Sequence, residues 1–261
     1  MSRTDTGESA ASGDVGVAGV PSLKGDLARD LAAAAMALAR RFAAGATLWC
    51  WSPRWPEHAQ HVAVEFVHPV IMGTRALPAT AVEDPDPIAT LRTLVSSGDV
   101  LLVLGAAGDG AVRSALSRAQ AWGATTIWIG AGPRAPQQGS APGDPVADHV
   151  LWFDEGSAEA PYNGAFVLAY HVLWELTHVC FEHPGLMKAA VAECVDDDHC
   201  ITCSDEATLG EVMGSGPAGA RVRTAAGVTD VDTTLVDPVD PGDLLLIHAG
   251  VAISSVDGGG A

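Results

Sequence analysis

Val100-Leu-Leu-Val-Leu104 is a continuous apolar run with the length of one buried strand. A glycine-rich turn, Gly105-Ala-Ala-Gly-Asp-Gly110, follows it, and a helical stretch at 111–122 leads to a second apolar run at 125–129. A strand, a helix and another strand in this order form a unit with parallel strands, and helices then cover both faces of the sheet. The sequence therefore predicts an α/β fold built on a doubly wound parallel sheet.

The alternation of helices and strands continues on both sides of this unit. Apolar residues at helical spacing predict an amphipathic helix from Leu27 to Phe42, which ends before Gly45. The other predicted elements are strands at 47–51 and 149–153, a helix at 56–68 and a long helix at 162–181. In such a sheet, ligands bind at the carboxyl ends of the strands.

Composition limits the class of protein. The chain has 261 residues, 48% of them hydrophobic, which is enough for two domains with a sizeable core. A formal net charge of -18 argues against binding to nucleic acid or to an anionic membrane. We find neither a membrane-spanning run of about 18 apolar residues nor a signal-peptide core. We therefore expect a cytoplasmic protein whose five cysteines are reduced.

The domain boundaries follow changes in composition. Residues 1–20, rich in Ser, Gly, Ala, Thr and Asp, predict a disordered leader, and 21–190 form the predicted α/β domain. Residues 191–199 are a predicted linker, and 200–257 a small all-β module. Short β-rich runs separated by Gly and Asp-Pro turns predict a small antiparallel barrel of the OB type for this module. These runs lie at 220–224, 228–236 and 244–253.

The thiol pair Cys200-Ile-Thr-Cys203 is the main chemical feature of the second module. Such a pair can hold a metal, exchange as a dithiol, or supply one thiolate to a metal centre that is passed on. A structural zinc site would need further ligands, which Cys194, His199 or His248 could supply. A redox dithiol should open a helix, whereas the sequence after Cys203 is strand-like.

The second module resembles the HypC/HupF family of [NiFe]-hydrogenase maturation chaperones. Three motifs in the range 199–256 carry the resemblance: Cys200-Ile-Thr-Cys203-Ser-Asp-Glu, Asp232-Thr-Thr-Leu-Val236 and Pro241-Gly-Asp-Leu-Leu-Leu-Ile-His248-Ala-Gly-Val-Ala-Ile253. The resemblance implies that Cys200 carries an Fe(CN)2CO unit, together with a HypD-like maturation protein, and delivers it to the hydrogenase large-subunit precursor. It places His248 beside that unit, with Cys203 and Asp205 in support. Here the cysteine stands in mid-chain, so no free α-amino group adjoins it.

Two predicted helices carry imidazole and carboxylate groups one turn apart. Such groups can form half of a zinc site, although spacing alone favours a polar face in contact with solvent. The groups are His58, His61, Glu65 and His68 on the first helix, and His171, Glu175 and His178 on the second.

The region from Leu27 to Glu182 resembles sugar isomerase (SIS) domains, in particular phosphoheptose isomerases. The motifs are Ala59-Gln-His61-Val-Ala-Val-Glu65-Phe, Ser97-Gly-Asp-Val-Leu-Leu-Val-Leu104, residues 119–129 and Tyr170-His171-Val-Leu-Trp-Glu-Leu176. The resemblance implies a metal site, possible for zinc, at His61, Glu65 and His171, with Asn163 where the family has a glutamine ligand. It also implies a homo-oligomer formed through this domain.

The phosphate-binding turns depart from the SIS pattern. Trp51-Ser-Pro-Arg-Trp55 and Gly105-Ala-Ala-Gly-Asp-Gly110 lack most of the hydroxyls that would bond phosphate oxygens. The sequence as a whole therefore favours a [NiFe]-hydrogenase assembly chaperone, with the SIS domain as a scaffold. The alternative is a metal-dependent sugar-phosphate isomerase with an accessory β module, which acts through Glu65 and His171 as acid and base. A third interpretation is an SIS domain that only senses metal or positions the β module.

Overall fold

The computed structural model describes residues 26–69, 73–106, 108–132, 147–153, 163–188, 207–217 and 219–256. They form an α/β domain with a five-stranded parallel sheet, and a second, antiparallel five-stranded sheet. The predicted leader at 1–20 and the predicted linker at 191–199 lie outside the described residues.

The parallel sheet confirms the predicted α/β class. Its strands have the order β2-β1-β3-β4-β5, so the order reverses between β1 and β3, where a doubly wound sheet opens a crevice. Strands β3 and β4 are buried at every position, as their continuous apolar sequence predicts. The short edge strand β2 was not predicted. The strands are β1 (Leu48–Trp51), β2 (Ala79–Ala81), β3 (Val100–Ala106), β4 (Thr125–Ala131) and β5 (His149–Phe153).

Helices cover both faces of this sheet. Leu102 and Leu104 of β3 point to a core shared with α1, α2 and α5, whereas Leu101 and Val103 point to a core shared with α3 and α4. The helices are α1 (Asp26–Ala43), α2 (Pro56–Val67), α3 (Pro87–Leu94), α4 (Gly110–Ala121) and α5 (Asn163–Glu182), followed by a short 3-10 helix, Pro184–Leu186. Within the described ranges, α5 alone has the length and composition of a membrane span, but half of it is buried in this domain, as expected of a core helix.

The antiparallel sheet has the strand order β10-β9-β6-β7-β8. Two strand predictions were wrong in extent. The run predicted at 228–236 ends at Val231, because the Asp232 carboxylate accepts the Thr234 N–H and turns the chain. The run at 244–253 is a hairpin whose turn residues, Ala249 and Gly250, both have positive φ. The strands are β6 (Thr208–Gly216), β7 (Gly219–Thr224), β8 (Gly227–Val231), β9 (Leu244–His248) and β10 (Val251–Val256).

The predicted barrel is not shown by the structure, which shows an antiparallel sheet. The two edges of the sheet meet at one isolated bridge between Asp232 and Val251. There the Ala252 N–H donates to the Asp232 carbonyl at 2.8 Å, and the Asp232 N–H donates to the Gly250 carbonyl at 3.0 Å. Elsewhere in the described residues β8 pairs with β7 and β10 with β9.

A buried carboxylate joins the two sheets. Glu211 of β6 is 1% exposed and accepts hydrogen bonds from Arg92 of α3, with Nη2 at 2.8 Å and Nε at 3.1 Å. The Trp122 Nε1–H donates to its other oxygen at 2.7 Å. Arg118 Nε lies 3.3 Å from Oε1 without hydrogen-bond geometry, so this contact is an ion pair. The bond to Glu211 raises the pKa of Arg92.

Arg223 of β7 extends the same contact. Its guanidinium donates to the carbonyls of Arg92 and Val95, both at 2.7 Å, and lies 5.1 Å from the centre of a Trp122 ring. Burial lowers its pKa. Leu244 of β9 is buried in the core formed by α3 and α4. The antiparallel sheet therefore packs directly on the α/β domain through both polar and apolar contacts.

We predict that Glu211→Ala lowers the free energy of unfolding by about 3 kcal/mol, because it leaves two guanidinium groups at the interface without their counter-ion. Removing one partner of a buried ion pair typically costs about 3 to 5 kcal/mol. We expect the lower end of that range because Arg92 stays partly exposed to water. Urea denaturation measures it. Glu182→Ala, at an exposed position, is the control and should change stability by less than about 0.5 kcal/mol. An equal loss in both variants would contradict the prediction.

Candidate functional site

Helices α2 and α5 bring three of the predicted site residues together. His61 and Glu65 stand one turn apart on α2, and His171 faces them from α5. Each offers one possible ligand atom, and the three atoms lie within 4.8 Å of one another. The sequence pattern predicted this group only through the SIS resemblance, because spacing along one helix cannot show which residues a second helix contributes.

One oxygen of Glu65 lies at the centre of this cluster. Oε1 is 3.2 Å from His61 Nε2 and 3.3 Å from His171 Nε2. His171 Nδ1 is 2.8 Å from the Val167 carbonyl, which can only accept, so Nδ1 carries a proton. A neutral His171 ring then turns the lone pair of Nε2 toward the Glu65 carboxylate. Two electron-rich atoms face each other there, and the arrangement is favourable only with a proton or a metal cation between them.

Tyr170 supports the cluster from the core side. Its hydroxyl lies 2.8 Å from His61 Nδ1 and 3.5 Å from His58 Nδ1. Burial raises the pKa of Tyr170 to about 12, and the nearby Glu65 charge adds to the effect. The hydroxyl therefore stays protonated at neutral pH and fixes the orientation of the His61 ring. Tyr170 is part of the motif that carries the SIS resemblance, but the sequence predicted no role for it. Its position directly before His171 on a largely apolar helix could have indicated a polar group buried next to the cluster.

The other polar residues predicted on these two helices divide between the core and the surface, and His68, at the end of α2, is exposed. His58 is buried, with its ring 5.6 Å from the Phe166 ring, and His178 is buried as well. The two His178 nitrogens lie 2.9 Å and 3.0 Å from the carbonyls of Trp174 and Arg75. Glu175 alone of the α5 set is exposed. The prediction of a polar face was therefore wrong for His58 and His178, because both rings fill space in the core.

Solvent can reach the cluster from one side. The side chains of His61 and His171 are 40% and 39% exposed, and that of Glu65 is 13% exposed. Three protein ligands with access from solvent are typical of catalytic metal sites, whereas structural zinc sites are closed by four protein ligands. Asn163, the fourth predicted ligand, begins α5, but its side chain is not among those the structure describes.

The two turns that would bind phosphate are occupied by the protein itself. At the start of α2, Trp55 is buried with its ring 5.7 Å from that of Phe166, and Pro56 offers no N–H. At the start of α4, the Asp109 carboxylate accepts the Ala111 N–H at 3.1 Å. The Ser52 hydroxyl donates to the buried Leu104 carbonyl at 3.0 Å. A phosphate group here would meet the Asp109 carboxylate and the half-exposed guanidinium of Arg54, whose Nε lies 3.6 Å from Asp109 Oδ2 and is already paired with it.

The predicted iron-binding residues belong to the other module. His248 is half-buried at the end of β9 and so belongs to the antiparallel sheet. Cys200, Cys203 and Asp205 lie outside the described residues. Among the described residues, Cys50 and Cys180 are buried, and burial raises the pKa of both thiols. These two cysteines are therefore packing residues that stay protonated.

Comparison with known proteins shows a similarity in fold. The sequence matches no protein-family model and no curated protein. A phosphoheptose isomerase from Francisella tularensis superposes with a TM-score of 0.51 and 20% identity, covering 59% of this chain and 87% of that chain. Phosphoheptose isomerase GmhA from Neisseria gonorrhoeae superposes with a TM-score of 0.48 and 17% identity, covering 58% of this chain and 87% of that chain.

The first similarity shows the fold. The α/β domain has the sugar isomerase fold. At this identity the similarity does not extend to the activity. None of the comparisons supports the HypC/HupF resemblance of the second module, which stays a prediction.

We predict that Tyr170 ionises near pH 12, measured by tyrosinate absorbance between pH 8 and pH 13. Tyr170→Phe should remove this phase, and Glu65→Gln should lower its midpoint while burial keeps it above about 10, the value in unfolded chains. Because the folded protein holds this proton more tightly, the contribution to stability is complete below about pH 10 and is lost toward pH 12. A midpoint near 10 in the wild type would contradict the prediction.

Proposed function

We propose that the α/β domain carries a metal-dependent active site of the sugar-isomerase type. One divalent ion, zinc by preference, would be held there by His61, Glu65 and His171. The observation that supports it is the convergence of two imidazole Nε2 atoms on one carboxylate oxygen at 3.2 Å and 3.3 Å. Two imidazoles and a carboxylate are a ligand set that zinc accepts in catalytic sites. A proton could fill the same place, which makes metal binding the first test.

The ligand geometry has the support that a metal site needs. The Val167 carbonyl fixes the tautomer of His171, and the Tyr170 hydroxyl orients His61. An ion bound there would polarise the carbonyl group of a substrate. Because the two imidazoles are about two-fifths exposed, a substrate would approach the ligands from solvent.

Glu65 and His171 are the proposed base and acid. One carboxylate oxygen of Glu65 faces the two rings, and the other oxygen can take a proton from the carbon next to a sugar carbonyl and return it to the neighbouring carbon. His171 Nε2 can exchange a proton with a substrate oxygen only when it is not a metal ligand. These two uses of one atom exclude each other at any moment, so metal binding and acid catalysis by His171 must alternate.

The proposed substrate class is a small hydroxylated carbonyl compound, a sugar or a sugar phosphate. Trp55 is buried at the start of α2, and the guanidinium at these turns, that of Arg54, is already paired with Asp109. We therefore expect a phosphate group, which would have to displace that carboxylate, to add little binding energy. The site therefore differs in its proposed specificity from a phosphoheptose isomerase.

Zinc titration of the metal-free protein tests the site. We expect one equivalent to bind, and Glu65→Gln to weaken binding at least about 10-fold, because a neutral amide is a poorer ligand for a divalent ion. Glu175→Gln makes the same change at an exposed position of α5 and should bind zinc as the wild type does. Equal zinc binding by all three proteins would contradict the metal site.

Substrate assays with the zinc-loaded protein then test the reaction. Sedoheptulose 7-phosphate and the same sugar without phosphate are compared for thermal stabilisation and for turnover. Conversion that is lost in Glu65→Gln and depends weakly on the phosphate supports the proposal. A metal site with no conversion of either compound would exclude isomerisation of these sugars and leave the metal binding intact.

The second candidate function is [NiFe]-hydrogenase maturation. Here Cys200 carries the Fe(CN)2CO unit as cargo, and His248, Cys203 and Asp205 support it. A HypD-like protein and the hydrogenase large-subunit precursor are the proposed partners. The ordered motifs of residues 199–256 support this proposal. The close packing of the antiparallel sheet on α3 and α4 is consistent with a scaffold role for the α/β domain.

Infrared spectroscopy of the anaerobically purified protein tests the second candidate. Cyanide and carbonyl stretching bands should be present in the wild type and absent in Cys200→Ala, because a thiolate would be the iron ligand. Cys194→Ala, outside the quoted motifs, is the matched control and should keep the bands. Bands in Cys200→Ala, or none in the wild type from a hydrogenase-producing cell, would argue against the iron-carrier function.

A further inference from the structure

The antiparallel sheet carries a groove that the functions proposed above do not use. Its volume is about 720 Å³, and it lies between the loop that follows β8 and the edge strand β10. The loop contributes residues 234–239 and Asp243, and the strand contributes Ile253, Ser254 and Ser255.

Two large apolar side chains of this groove are open to solvent. Leu235 is 69% exposed and Ile253 is 46% exposed. The strand register shifts between Ala252 and Ser254, so Ile253 is the extra residue of a bulge. Bulges at sheet edges often redirect a side chain toward a partner. Exposed apolar residues of this size that line one groove are typical of contact surfaces.

The chain segment that forms the groove is acidic, although Arg118 of α4 contacts the same loop and donates to the Gly242 carbonyl at 2.8 Å. Residues 224–256 contain no Lys or Arg, and their only formally charged side chains at neutral pH are five aspartates. Asp237 and Asp243 line the groove, and Asp240 belongs to the same loop. These residues are Asp230, Asp232, Asp237, Asp240 and Asp243. The negative potential favours cationic ligands and repels nucleic acid, anionic lipid and a second copy of this chain, whose net charge is -18.

The backbone of β10 is also available. Within the described residues, Ser254, Ser255 and Val256 pair with β9 on one side, and the bridge to Asp232 lies at the other end of the strand. In the part of the chain that the structure describes, the outer edge from Ile253 to Ser255 is therefore without a second strand, while Val256 packs against the core of α3 and α4. An edge of this kind can accept a strand from another chain, with side-chain pockets that select its sequence.

We propose that this groove is a docking site for an extended, basic segment of a partner protein. The segment would add to the edge of β10, place an apolar side chain between Leu235 and Ile253, and pair its cationic residues with Asp237 and Asp243. The docking site is independent of the metal cluster, which belongs to α2 and α5 on the other sheet.

The test uses the full chain and a fluorescent heptapeptide of alternating arginine and leucine, with binding followed by fluorescence anisotropy. Leu235→Ser should weaken binding about 5- to 10-fold, the effect of losing one central apolar contact. Val228→Ser removes an apolar residue of β8 that is 50% exposed and lies outside the groove, and it should leave binding unchanged. A peptide with serine in place of leucine should bind more weakly to the wild type.

Variants that remove one negative charge distinguish binding in the groove from a general attraction of the basic peptide to an acidic protein. Asp237→Asn and Asp230→Asn remove one charge each, and only the first should weaken binding clearly, because Asp230 lies outside the groove. The proposal would be overturned if the two aspartate variants weakened binding equally, or if the serine peptide bound as tightly as the leucine peptide. It would also be overturned if no peptide bound at all, or if the chain self-associated through Leu235. Glu65→Gln should bind the peptide as the wild type does, so failure of the metal site leaves this result unaffected.

Discussion

A buried carboxylate is stable only with hydrogen-bond donors or counter-ions, and those of Glu211 lie on two helices of the other domain. Arg92 on α3 and Arg118 on α4 balance its charge, and the Trp122 indole donates to its second oxygen. Because each of these groups would be costly to bury alone, they fix the orientation of β6 relative to α3 and α4. The rest of the antiparallel sheet follows from β6, which is its central strand.

This contact occupies one face of the parallel sheet and leaves the other face for chemistry. The alternation of side chains along β3 sends Leu101 and Val103 toward α3 and α4, and Leu102 and Leu104 toward α2 and α5. The cluster of His61, Glu65 and His171 therefore lies on the face away from the second sheet. A change at Glu211 affects how the two domains hold together, and a change at Glu65 affects the cluster.

The elements that the sequence revealed are those whose pattern is local. Continuous apolar runs showed β3 and β4, whereas β2 and α3 are short and were missed. The central strand β6 was missed as well, because three glycines and the charged Glu211 interrupt its apolar pattern. The turn at Ala249 was hidden because alanine rarely adopts the positive φ that it has here. Spacing placed His61 and Glu65 one turn apart, but the meeting with His171 depends on how α2 packs against α5. Glu211 gave no signal, since its ion-pair partners are 119 and 93 residues away in the chain.

The contact between the sheets also limits how the chain can be divided. A gene cut between the two folded parts would produce two fragments, each with a complete sheet, and composition would suggest that each is independent. The first fragment would expose the Trp122 ring and two guanidinium groups, and the second would expose Glu211 and Leu244. These surfaces are complementary in charge and in apolar character, so we expect the two fragments to behave as a split-protein pair that is more stable when expressed together than apart.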